Sequence, residues 1–143
     1  MLGFLYALVA GAAMSIQGVM NTLLGDRIGV LETNAWVQLT VFFLALAAAL
    51  LFGKGNLHQF PGSPWYAYLG GVLAPVITVT VMLSIAGLSP TVAISTILLA
   101  QLTVAALIDA FGIMGAEKLP FTWQRIVGVI LMAAGVIFMK VDA

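Results

Sequence analysis

The chain has 143 residues, 63% hydrophobic and only 7% charged, with a net charge of zero, whereas a soluble domain is about half apolar and about a quarter charged. Mean hydropathy is +1.18, and five basic side chains, five acidic ones and His58 cannot solvate the surface of a soluble domain, so the solvent is a bilayer. Balanced charge without a basic run excludes nucleic acid as a partner, and a sequence without cysteine offers no disulfide, thiolate or cysteine metal chemistry.

Five apolar stretches are long enough to cross about 30 Å of hydrocarbon at about 1.5 Å per residue. The first predicted span runs from Leu2 to Leu24, with Gly25 and Gly29 as its stop signals. It lacks the basic leading segment of a secretory signal and is too long for one, so it is expected to be retained. The second, Thr33 to Phe52, opens on Thr33 as N-cap and carries Trp36 at its head. Gly53 to Ser63 is the longest connection and holds His58, a residue expected to face solvent. The third, Pro64 to Ile85, starts on a Ser63-Pro64 cap pair, with Trp65, Tyr66 and Tyr68 at interface depth and Pro75 as a candidate kink. The fourth, Pro90 to Phe111, starts on Ser89-Pro90 in the same way, and the fifth, Phe121 to Met139, opens near Thr122 and Trp123. Runs such as VFFLALAAALLF have no period of two, which excludes a membrane β-barrel. The expected fold is all-α: a single five-helix membrane domain over residues 1–143.

Lys54, Lys118 and Arg125 fall on the side of the N-terminus, and Arg27 and Lys140 on the other. Three against two is almost no instruction under the positive-inside rule. Two copies inserted in opposite senses would pair as an antiparallel homodimer of ten helices, an inverted-repeat bundle of the kind many transporters carry in one chain. In the fifth span Gly128, Met132 and Gly135 share a face at i, i+4 and i+7, which suits close helix approach in lipid. That face is a candidate dimer seam, with packing inside the chain as the alternative.

Polar side chains inside spans are costly and mark candidate sites. Here they are Gln17 and Asn21, Asn34 and Gln38, Thr78 and Thr80, and Gln101 and Asp109. Gln17 and Asn21 share a face that Gly18 opens to a neighbour or ligand. Gln101 lies near the middle of its span, where an unsatisfied amide costs several kcal/mol, so it requires a partner. Gln17, Asn21, Gln38 and Gln101 are therefore candidate solute-binding residues, with hydrogen bonds between helices as the alternative role. Asp109 is a candidate coupling group, or else the ion-pair partner of Lys118 or Arg125. No phosphate loop, metal-ligand cluster or nucleophile with a base is recognisable, which argues against an enzyme or an ATP-driven pump and implies no cofactor.

With these residues placed, the chain resembles the YdcZ-type proteins of the drug/metabolite transporter superfamily. The resemblance rests on Gly11, Gln17, Gly18 and Asn21; on Leu69-Gly70-Gly71; on Gln101, Asp109 and Gly112; and on Arg125-Ile126-x-Gly128-x-x-Leu131-Met132-x-x-Gly135-Val136. It departs from the family pattern at Ala100, where glycine is expected. The resemblance implies a multi-pass protein of the bacterial inner membrane, made of five-helix units that occur as paired genes, fused chains or single near-neutral chains. This sequence looks like the last kind. Unlike small multidrug-resistance proteins, it has no glutamate in the first span. The expected function is transport of a small polar solute by alternating access through a cavity at the homodimer interface. The partners expected are lipid, the solute and an antiparallel second copy. A non-transporting scaffold and a passive pore are the alternatives.

Overall fold

Five α-helices carry the chain: α1 (Leu2–Ile28), α2 (Val30–Phe52), α3 (Gly70–Gly87), α4 (Pro90–Phe111) and α5 (Trp123–Val141). The computed structural model describes residues 1–120 and 122–141, and among them there is no strand. Short 3₁₀ turns occupy Leu57–Gly62, Trp65–Leu69 and Ile113–Gly115. All five helices, the third counted from Trp65, are long and apolar enough to cross a membrane. At 22 residues α4 reaches about 33 Å, close to the thickness of the hydrocarbon core.

Several boundaries differ from the sequence expectation for local reasons. Gly25 does not stop α1, which continues to Ile28. It is buried inside the helix, where an added Cβ would sit 3.6 Å from Met82 Sδ and 3.7 Å from Val30. The break comes at Gly29, with φ 103 and ψ 148, a conformation essentially confined to glycine. A Cβ there would also collide with the Glu32 carboxylate. Gly29→Ala is therefore expected to cost about 1–3 kcal/mol, read as a lowered midpoint of thermal unfolding in detergent. An unchanged midpoint would mean that the turn relaxes freely.

Because Gly29 caps α2, Thr33 lies one turn inside the helix rather than at its start. It is fully buried, and its hydroxyl has no hydrogen-bond partner among the described residues. Ser63 does not cap a helix either. Its carbonyl accepts from the Tyr68 hydroxyl at 3.3 Å, the 3₁₀ turn follows, and α3 begins only at Gly70. Pro75 sits within α3 without interrupting it. Ser89-Pro90 behaves as expected: the Ser89 side chain accepts from the Val92 N–H, and Pro90 occupies the first turn of α4. The Thr122 carbonyl receives the N–H groups of Arg125 and Ile126 at the start of α5. The predicted start of that span, Phe121, lies outside the described residues.

The backbone clusters into two compact units, Met1–Ser84 and Ile85–Ala143. In the first, α1 packs on α2; Gly18, Thr22 and Gly25 of one and Thr33 of the other are buried. In the second, α4 packs on α5. Gly112 ends α4 in the left-handed conformation (φ 65), its N–H on the Ile108 carbonyl. The Leu119 N–H then donates to the Asp109 carbonyl at 2.9 Å, folding the connection back onto the end of α4. Few apolar side chains are buried, while Phe42, Phe52 and Phe138 are 58%, 79% and 75% exposed. Such a surface suits lipid, which offers no hydrophobic force to drive helices together.

Candidate functional site

The second unit contains a groove of about 430 Å³ between α4 and α5. Leu102, Ala105, Ala106 and Asp109 line it from α4, and Arg125, Gly128, Val129 and Met132 from α5. One charged pair ends this apolar trough. Arg125 Nη1 donates to Asp109 Oδ2 at 3.2 Å, with the two side chains 36% and 39% exposed. In water a pair this open contributes under about 1 kcal/mol to stability; its importance here is placement. Of the two cations in reach along the sequence, Arg125 rather than Lys118 takes the carboxylate. The turn through Gly112 and Leu119 brings the first turn of α5 beside the last turn of α4.

A second polar cluster lies within the first unit. Gln38 Nε2 donates to Asn34 Oδ1 and to Thr78 Oγ1, both at 3.3 Å, and Thr78 Oγ1 donates to the Ala74 carbonyl at 3.0 Å. This fastens α2 to α3 through side chains. Among the described residues no hydrogen bond joins Gln17 or Asn21 to the cluster, and neither side chain has another. Gln17 is exposed, Asn21 half-buried, and Gly18 between them is buried, its carbonyl accepting from Thr22.

Gln101 does not share the groove of Asp109. It borders a shallow hollow with Ala100, Val104, Ala105 and Ile108, so the stripe of Gln101, Ala105 and Asp109 divides at Ala105. The Gln101 side chain is exposed and has no hydrogen bond among the described residues. Gly128 and Met132 line the groove, but added Cβ atoms at Gly128 and Gly135 would meet nothing within 4 Å. Close packing inside the chain therefore does not account for these two glycines. His58 lies in the exposed 3₁₀ turn, its backbone N–H on Asn56 Oδ1.

The sequence marks three further participants without assigning them a definite role. Arg125 stood only as one of two alternative partners, and Asn34 and Thr78 only as polar span residues. The available signal was an acid closing one helix and a base opening the next across a glycine-rich turn.

A family model described as "Putative inner membrane exporter, YdcZ" matches residues 2–138. No curated protein and no solved structure matches the chain.

Proposed function

Because this chain belongs to the YdcZ family of multi-pass inner membrane transport proteins, we propose that it carries a small polar solute by alternating access, as an antiparallel homodimer. The observation that supports this most is the set of span amides left unpartnered, of which two are also exposed. Gln17 and Gln101 lie within apolar spans, exposed and without hydrogen bonds among the described residues. In hydrocarbon each would cost several kcal/mol. A second copy and a hydrated cavity between copies would supply the missing partners. Gln17, Asn21, Gln38 and Gln101 would then line that cavity, and amides suit neutral or zwitterionic solutes because they both donate and accept.

The empty space over Gly135, which lies outside the α4–α5 groove, favours α5 as the seam. A Cβ at Gly135 meets nothing within 4 Å among the described residues, and Gly135→Leu removes the close approach between copies. It is expected to yield a well-folded monomer in mild detergent with at least about tenfold lower flux in proteoliposomes. A Gly135→Leu dimer with full flux would rule out this seam.

The single, partly exposed contact between Asp109 and Arg125 makes Asp109 the proposed coupling group of the cycle. At saturating solute, flux is expected to follow an imposed pH gradient in the unaltered chain but not in Asp109→Asn. An equal response in both would remove Asp109 from that role. Flux that saturates with solute concentration supports a carrier. Linear flux would indicate a passive pore, and an intact dimer without flux across a metabolite panel would indicate a scaffold.

A further inference from the structure

We propose that the α4–α5 groove binds a small zwitterion with an apolar side chain, an apolar α-amino acid in chemical class, its carboxylate on Arg125 and its ammonium on Asp109. The part of such binding in flux rests on the transport function proposed above; the binding itself does not.

Both charged groups have spare capacity. They meet through one contact, Arg125 Nη1 to Asp109 Oδ2 at 3.2 Å, which leaves most guanidinium donors unused. Asp109 Oδ1 has no hydrogen bond among the described residues. With more than a third of each side chain exposed, 36% and 39%, a ligand can reach both without parting them. The planar fork of arginine matches a carboxylate in a way that a lysine would not.

Charge balance then selects the ligand. The pair is net neutral and sits beside apolar walls, where an uncompensated charge is less well solvated than in water. A lone organic cation would satisfy Asp109 but sit beside Arg125. A lone carboxylate would have the converse fault. A zwitterion places opposite charges on both and keeps the site neutral. Beyond the pair the walls are Leu102, Ala106, Val129 and Met132, and the space is about 430 Å³, within the range of small-molecule sites. These walls reward an apolar side chain and leave a polar one unsatisfied.

The test is saturation binding of radiolabelled L-leucine to the full chain in lipid nanodiscs. Competition uses leucinol, which lacks the carboxylate, 4-methylpentanoate, which lacks the ammonium, and glycine, which lacks the side chain. Leucine is expected to bind saturably and each analogue at least about tenfold more weakly, since each loses a charge-assisted contact or its apolar burial. Arg125→Gln, Asp109→Asn and the groove-filling Val129→Phe are each expected to weaken leucine binding by at least about tenfold. Val129→Phe keeps both charges, and the competition series needs no variant at all, so a misfolded variant does not shelter the proposal. Absence of saturable leucine binding overturns it, as do leucinol or 4-methylpentanoate matching leucine, or well-folded variants binding like the unaltered chain. Transport fails separately: leucine bound but not moved would count against the carrier, and another solute moved without leucine binding would count against this site alone.

Discussion

Two variants biased toward opposite orientations are expected to be nearly inactive apart and active together. The near balance of Lys54, Lys118 and Arg125 against Arg27 and Lys140 leaves orientation open to small changes. Gly55→Lys with Gln59→Lys raises one side to five basic residues against two. Lys54→Gln, Lys118→Gln and Gly87→Lys lower that side to one against three. Added Cβ atoms at Gly55 and Gly87 meet nothing within 4 Å, and Gln59 is exposed. If the minority orientation falls to about 5% of chains, antiparallel pairs can use only about 10% of them, so flux drops about tenfold. Co-expression supplies both orientations and should restore flux to near the unaltered level. Full activity of either biased variant alone, with its single orientation verified, would rule out a requirement for opposed copies.

Gln101→Leu is expected to remove about tenfold to a hundredfold of saturable flux while the dimer persists. A hydrogen bond to solute in a site of low dielectric constant is worth about 1–3 kcal/mol. Leucine itself is favourable against lipid, so the variant should fold and insert at least as well. Within the single chain this amide bonds to nothing among the described residues, so its loss breaks no contact seen there. Flux in liposomes and size-exclusion chromatography read the two effects separately. A Gln101→Leu chain that dissociates would show that the amide holds copies together instead of contacting solute.

Which parts of the molecule the sequence disclosed follows from the range of the physics involved. Helix identity is a matter of apolar length, and all five spans appear close to their predicted places. The Ser89-Pro90 cap is a three-residue interaction and could be read directly. Gly25 and Gly29 look alike as stop signals. What separates them is Met82, 57 positions after Gly25, whose sulfur lies beside Gly25 in the fold. With the break at Gly29, the cap of α2 lies there too, and Thr33 falls one turn inside the helix. The aromatic start of the third span marked an interface but not the 3₁₀ geometry of Trp65–Leu69.

The polar residues divide along the same line. Gln38 and Asn34, four apart on one helix, are neighbours by periodicity, whereas Thr78 joins them only through a hydrogen bond from α2 to α3. Periodicity placed Gln101 and Asp109 on one stripe, but the groove made by α5 takes Asp109 and excludes Gln101. Helices α1 to α4 are apolar nearly all round, so their sequences do not reveal which face meets a neighbour. Family membership fixes the class of protein, and the proposed pairing of copies rests on charge balance and unpartnered amides.

A single introduced cysteine can report orientation without background, because the chain has none of its own. Gly62 is exposed, and a Cβ there meets nothing within 4 Å, which makes Gly62→Cys suitable. Treating intact spheroplasts with a membrane-impermeant maleimide is expected to label about half of the Gly62→Cys molecules, and permeabilisation the rest. Labelling of essentially all molecules from one side only, in a preparation that still transports, would contradict assembly from opposed twins.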